Sequence, residues 1–316
     1  MVGPFPASWW ALVLGGSSGF GLAAAERLAA SGMSVAIVHR DRRGALARIT
    51  PAFARLRAHG VAVHTWNADA LDPAVRERLL DELAAALGPA GRVRVLLHSI
   101  AFANLKPLAP DPRPRGGALR ALAAELGVDE RKLAERVAAL FAAGHDELLA
   151  LAPPAGARAG AALLDEEDFA RTIHAMGTSL LGWARGLLAR RLFTADARVL
   201  ALTSEGNTVA WRGYAAVSAA KLALEALCRS LAVELAPHGV RTNVLQPGVT
   251  DTPALRAIPG ADRLRASARL RNPFGRLTTP EDVANVVALL ASDEAAWING
   301  ALLRVDGGEH VSGAAW

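Results

Sequence analysis

The chain has 316 residues, 52% of them hydrophobic, which suits one large domain with a sizeable core. A single cysteine, Cys228, excludes an internal disulfide framework and fits a reducing compartment. The formal net charge is +5, yet only three of the 35 basic residues are lysines; the arginines are scattered, with little aromatic interleaving, which argues against a nucleic-acid partner.

The first residues show no basic n-region, and the apolar run, Trp9 to Leu14, is too short to cross a membrane, so neither a signal peptide nor a membrane span is expected there. A cytoplasmic protein with no membrane partner is expected. That run reads as a buried strand. It enters Gly15-Gly16-Ser17-Ser18-Gly19-Phe20-Gly21, and an apolar-periodic helix follows from Leu22 to Ala30. Strand, glycine loop and helix in that order make a phosphate site: backbone amides approach the pyrophosphate and the helix N-terminus adds partial positive charge. Gly15, Ser17, Ser18, Gly19, Phe20 and Gly21 are therefore candidate cofactor residues. A plain tight turn is the alternative.

The second strand spans Ser34 to Val38 and ends in His39-Arg40-Asp41-Arg42-Arg43. An acid at such an end favours NAD by accepting from the ribose hydroxyl, whereas an arginine accommodates a 2′-phosphate. His39 takes the acid's place and Arg40 follows, which favours NADPH. Asp41 keeps NADH open, and Arg42 and Arg43 also read as a solvated charge run.

A helix from Gly44 to His59 leads to a strand from Val61 to Trp66. Asp72 before Pro73 caps the next helix, which Gly88-Pro89 stops. The fourth strand, Val93 to Leu97, continues into His98-Ser99-Ile100-Ala101-Phe102-Ala103. A histidine at a strand end usually makes a structural hydrogen bond, so His98 is not assigned to catalysis.

Residues 105–165 interrupt the pattern. Pro107, Pro110, Pro112 and Pro114 precede expected helices from Ala118 to Leu126 and from Asp129 to Ala143. This is roughly 60 residues beyond what a helical crossover needs. The connection leaves the carboxyl end of a strand, where ligands bind. A lid over a substrate pocket and a surface or oligomer contact are both open readings. Arg113, Arg115, Arg120 and Arg131 would suit an acidic carrier protein or coenzyme A phosphates.

Acids at 165–168 open a helix expected to run to about Arg191. A strand from Arg198 to Leu202 ends in Thr203-Ser204-Glu205-Gly206. Tyr214, the sole tyrosine, precedes Lys221 by seven residues. On a helix that spacing puts both on one face, and the cation favours the ionised phenol. The strand Val240 to Leu245 leads into Gln246-Pro247-Gly248-Val249-Thr250-Asp251-Thr252, and Ala301 to Val305 is a last strand.

The run from Leu200 through Tyr214, Lys221 and Leu231 to Gly248 resembles the core of the short-chain dehydrogenase/reductase superfamily. Most members place the tyrosine four residues before the lysine; here that residue is Val217. The six-residue gap and the turn His98 to Ala103 resemble the enoyl-acyl-carrier-protein reductase branch. The resemblance implies a doubly wound parallel sheet of about seven strands, one α/β domain over 1–316 with a helical insert at 105–165. It implies Tyr214, Lys221 and Ser204 as catalytic residues, with Ser204 either bonding the thioester oxygen or capping its loop. It places Asp69 and Ala70 near adenine, Ser99, Ile100 and Ala101 beside the ribose, and Lys221 on the nicotinamide ribose. Pro247, Gly248, Val249 and Thr252 would face the nicotinamide, and residues 253–275 form a substrate loop. Gly177 stands where commoner members carry a relay asparagine. No metal is implied.

The implied reaction is reduction of a 2-enoyl thioester, carried by acyl carrier protein or coenzyme A, in a homo-oligomer (dimer or tetramer). A tyrosine three residues further from the lysine suits an oxygen two atoms from the hydride-accepting carbon. Two alternatives stay open: a 3-oxoacyl thioester or other carbonyl reductase, and a cofactor-binding protein without turnover.

Overall fold

The computed structural model describes residues 5–110, 116–152, 162–258 and 260–313. Apolar runs alternate with amphipathic helices, and the strands they form are parallel. Among the described residues seven pair in one sheet: β1 (Trp9–Leu14), β2 (Ser34–His39), β3 (Val63–Asn67), β4 (Arg92–His98), β5 (Phe193–Leu202), β6 (Val240–Pro247) and β7 (Leu302–Val305). Their order is β3-β2-β1-β4-β5-β6-β7. The order reverses between β1 and β4, so a crevice opens at their carboxyl ends, where such sheets bind ligands.

Side chains alternate across each strand, which divides the core in two. Leu12 and Leu14 of β1 pack with Leu96, Trp183 and Leu224 on one face. Ala11 and Val13 pack with Ile37, Val95 and Leu97 on the other. Helices α1 (Gly19–Ala29), α2 (Leu46–Ala58) and α3 (Pro73–Leu87) follow the first three strands. Asp72 caps α3, accepting from the Ala74 and Val75 amides.

Some boundaries differ from expectation. Helix α1 starts at Gly19, inside the glycine loop, and β2 runs one residue further, burying His39. Strand β3 starts at Val63, because the left-handed turn at Gly60 (φ +78°) delays pairing. The helix expected from 165 to 191 is two: α6 (Glu166–Ile173) and α7 (Ser179–Ala189), joined by a π turn at His174–Thr178. A Cβ on Gly177 in that turn would lie 2.8 Å from the Ala220 carbonyl oxygen. Close packing therefore leaves no room there for the asparagine of commoner relatives.

The insert contributes α4 (Gly117–Glu125), α5 (Glu130–Ala142) and a 3₁₀ turn, Asp146–Ala150. The Leu164 amide donates to the Pro107 carbonyl at 3.0 Å, drawing its two ends together. Asp168 fixes that stem, accepting from Asn104 at 2.6 Å and pairing with Lys106. Arg113 and Arg115 lie outside the described residues. Arg120 and Arg131 make exposed pairs with Glu130 and Glu135 at 3.5 and 3.7 Å. The C-terminal third adds α8 (Ala215–Glu234), α9 (Pro253–Arg256), α10 (Ala261–Arg271) and α11 (Pro280–Ala291). No described helix is long and apolar enough to cross a membrane.

Candidate active site

Two cavities meet at the carboxyl edge of the sheet. The first, of about 470 Å³, is walled by Gly15, Ser17, Ser18, Gly19 and Phe20 after β1 and by His39, Arg40 and Asp41 after β2. Asp69 and Ala70 after β3, and Ser99, Ile100 and Ala101 after β4, complete it. Residues expected to hold a dinucleotide are thus brought together.

The glycines divide by role. A Cβ on Gly15 (φ +87°) would lie 2.5 Å from the Ser99 carbonyl oxygen, and one on Gly21 would lie 2.3 Å from that of Gly15. These two let the turn pack on its own backbone, and Gly21 is not on the cavity wall. That corrects the expectation that each glycine serves the pyrophosphate. Gly19 (φ +53°) does open on the cavity, opposite Thr252. Ser18 precedes α1 without capping it through its side chain, so the amino end of α1 presents backbone donors to the cavity. A diphosphate fits there by charge and by donor direction.

At the far end, Arg40 Nη1 lies 2.7 Å from Asp69 Oδ2, with its guanidinium 5.1 Å from the centre of the Phe102 ring. His39 Nδ1 meets Asp41 Oδ2 at 2.9 Å. Asn67, which sequence reasoning did not single out, holds the Asp41 backbone through both its amide and its carbonyl, at 2.9 and 3.0 Å. A cation and an acid therefore share the place where the adenosine ribose would lie.

The second cavity, of about 820 Å³, shares Phe20, Ala101, Phe102 and Thr252 with the first. Its wall is largely apolar, with Leu105, Met176, Trp211, Val217 and Ile258. Ser204, Tyr214, Pro247, Gly248 and Val249 also line it.

Tyr214 is not on a helix face, as its spacing suggested. It is the residue before α8 (φ −110°, ψ 3°), placed by a turn in which its amide donates to the Trp211 carbonyl at 3.1 Å. The Trp211 ring meets it edge-on at 5.4 Å. Gly206 makes room, since a Cβ there would be 2.4 Å from Tyr214 Cε1. Burial raises the phenol's pKa, and the nearby Ser204 hydroxyl only partly offsets this. Ser204 Oγ is buried, and no contact to it among the described residues has full hydrogen-bond geometry. It does not cap the following 3₁₀ turn. A donor and an acceptor thus face the cavity together.

Lys221 stands elsewhere. Its Nζ donates to the Leu202 carbonyl at 2.7 Å, and the residue lines neither cavity. Burial pulls its pKa down to about 8, against the opposing charge of Glu225. The phenol sits one residue outside the helix that carries the lysine, and burial dominates its pKa, which is raised rather than lowered as the spacing suggested. Glu225 is itself bound by Thr203 and, at 2.6 Å, by Asn207. His98 donates from Nε2 to Ser179 Oγ at 2.9 Å, because that hydroxyl in turn donates to the Ala175 carbonyl. Burial, then Lys221, holds its pKa at about 3, so it is neutral and structural.

The Pro247–Val249 segment is buttressed from behind. The Val249 amide donates to Glu309 Oε2 at 3.1 Å, so that donor is already taken. Arg271 bridges Glu309 (2.7 Å) and both oxygens of Glu205 (2.7 Å each). The Thr252 hydroxyl accepts from the Leu255 amide at 3.2 Å and caps α9. Sequence reasoning missed Glu205 and Glu309; a lone glutamate after Asp306-Gly307-Gly308 carries no spacing signal.

Residues 9–111 match the family model described as short chain dehydrogenase, and residues 118–310 match that described as Enoyl-(Acyl carrier protein) reductase. The chain belongs to the short-chain dehydrogenase/reductase superfamily. It is an oxidoreductase of that superfamily. It is 36% identical over 176 residues to the cis-4-hydroxycyclohexanecarboxylate dehydrogenase of Sinomonas cyclohexanicum, covering 56% of this chain and 70% of that protein. It is 33% identical over 148 residues to the 3-oxoacyl-[acyl-carrier-protein] reductase FabG of Escherichia coli, covering 47% of this chain and 60% of that protein. Along nearly the whole length it is 28% identical to the short-chain reductase protein NovJ of Streptomyces niveus (94% of this chain, 92% of that one). Among solved structures, the enoyl-[acyl-carrier-protein] reductase (NADH) of Aquifex aeolicus shares the fold with a TM-score of 0.69 at 22% identity, over 96% of this chain and 98% of that one.

Proposed function

We propose that this short-chain reductase uses a reduced nicotinamide dinucleotide to saturate the C2–C3 double bond of a 2-enoyl thioester. The observation that carries the reading is the pairing of Tyr214 with Val217. Tyr214 lines the apolar cavity, whereas the position four before Lys221 holds a buried valine on the same wall. The proton donor is therefore displaced from the usual place, which suits an oxygen two atoms from the carbon that is reduced.

The bound cofactor supplies a hydride to C3. The chain's residues do the rest. The mostly apolar wall excludes water from the acyl chain and strengthens the field of the few polar groups left inside. Tyr214 hydrogen-bonds the thioester oxygen as negative charge gathers there, a stabilisation of oxyanion type, and the enolate so formed takes a proton from solvent at C2 to complete the saturated thioester. The raised pKa keeps the phenol protonated and able to donate at neutral pH. Ser204 stands beside it to bond the same oxygen.

NADPH is the proposed cofactor, with Arg40 turning to its 2′-phosphate; NADH is the alternative, through Asp41. Acyl carrier protein or coenzyme A is the proposed carrier. A homo-oligomer is proposed from the exposed Leu222 and Val233 on α8. A second reading, reduction of a 3-oxoacyl thioester, is favoured by the identity to FabG.

Incubation with NADPH and crotonyl-coenzyme A, followed by mass spectrometry, tests the reading. Butyryl-coenzyme A is expected. Unchanged crotonyl thioester, beside 3-hydroxybutyryl product from acetoacetyl-coenzyme A, would overturn it in favour of the second.

A further inference from the structure

The larger cavity is walled by segments of different origin. It abuts the dinucleotide cavity through the shared Phe20, Ala101 and Phe102. Helix α10 contributes Arg263 and Leu264 and the insert contributes Leu105 and Leu149, none of which lines the dinucleotide cavity. Leu149 belongs to the 3₁₀ turn Asp146–Ala150, and that turn is fastened to α10. Asp146, buried, accepts from Nε and Nη2 of Arg269 in a two-pronged pair at 2.5 and 2.7 Å. Arg263 Nη1 donates to the Ala152 carbonyl at 2.6 Å. A bidentate pair fixes direction as well as distance, so the turn is held in one orientation against the helix.

We propose that Leu149 is the specificity-determining residue of this site, closing the end of the cavity remote from the dinucleotide and limiting the length of the aliphatic chain admitted. This rests on the reading of that cavity as an acyl-thioester site. The cavity wall as a whole is largely apolar, as a hydrocarbon tail requires, and a leucine at its end would make contacts only with a chain long enough to reach it. Each methylene denied burial costs about fourfold in binding. Asp146 and Arg269 act as positioning residues for that wall, because they hold the turn and touch neither cavity.

The test compares wild type, Leu149→Trp and Leu149→Ala against crotonyl, 2-octenoyl and 2-dodecenoyl coenzyme A thioesters with NADPH. In parallel, calorimetry measures binding of the matching saturated thioesters to the protein with NADP⁺. With Leu149→Trp, the long-chain kcat/KM should fall about tenfold or more while that for crotonyl stays within about twofold. Leu149→Ala should move the preferred length upward. Asp146→Asn should raise KM for the longest substrate and leave kcat for the shortest unchanged. Equal changes at every length, or no change at any, would overturn the proposal. If no enoyl substrate is turned over but the Leu149 variants shift which saturated chains bind, the enoyl reading fails and this inference stands. If no acyl thioester binds at all, both fail.

Discussion

Lys221 Nζ donates to the Leu202 carbonyl at 2.7 Å, inside the protein and off the wall of both cavities. An ammonium so placed is costly to keep charged, and its pKa falls from 10.5 to about 8. The unfolded chain keeps the proton up to about pH 10.5, so between pH 8 and 10.5 it binds more protons than the folded one. Stability attributable to this residue therefore rises with pH across that window, by about 3 kcal/mol. Below pH 8 the penalty is present in full. Lys221→Met removes the titration. Its stability relative to wild type, read by denaturant melts, should decline between pH 7.5 and 10.5. A gap that stays constant would contradict the placement of this lysine.

A second expectation concerns the opposite end of β5. Asp196 accepts from Arg198 at 2.6 and 3.0 Å and from Arg94 at 2.8 Å, and it also pairs with Arg241. Arg94 and Arg198 are almost wholly buried. Burial alone would raise the Asp196 carboxyl, yet Arg198 and its neighbours outweigh it and hold the carboxyl below its ordinary range. Asp196→Ala leaves two buried guanidinium groups without that carboxylate, and should cost about 3–5 kcal/mol. The cavities lie at the far edge of the sheet, so kcat of the folded variant should be unchanged. Chemical denaturation beside a steady-state assay checks both halves.

Cofactor choice turns on Arg40, which pairs with Asp69 across the end of the dinucleotide cavity. If it exchanges that carboxylate for a 2′-phosphate, Arg40→Ala should weaken NADPH binding about tenfold to a hundredfold. NADH binding should stay within about twofold. A fluorescence titration with both dinucleotides decides. Equal affinity for NADPH in variant and wild type would assign selection to Asp41 instead.

Much of this architecture was legible because it depends on local signals. Alternating apolar runs, the glycine loop after β1, Asp72 before Pro73 and the Pro247-Gly248 turn each carry their own physics, and the elements appear where those signals stand. Tyr214 was legible as a site residue but not in its placement, because residue spacing assumes a helix, and the helix begins one residue later. A glycine loop in sequence does not separate a phosphate contact from a packing need, and Gly21 meets the latter, since a Cβ there would lie 2.3 Å from the Gly15 carbonyl oxygen. The long-range partners were hidden for a different reason. Glu309 with Val249, and Asp146 with Arg269, are joined only by folding, and nothing in the separation of 60 or 123 residues announces them.

The central claim is that Tyr214 serves an enoyl oxygen. It is tested most directly by NADPH oxidation on crotonyl-coenzyme A and on acetoacetyl-coenzyme A, with wild type beside Tyr214→Phe. The account predicts turnover of the enoyl thioester and not of the ketone, with kcat reduced about a hundredfold or more in the variant and KM for NADPH unchanged. Turnover of the ketone alone, or enoyl turnover that the variant retains in full, would contradict it.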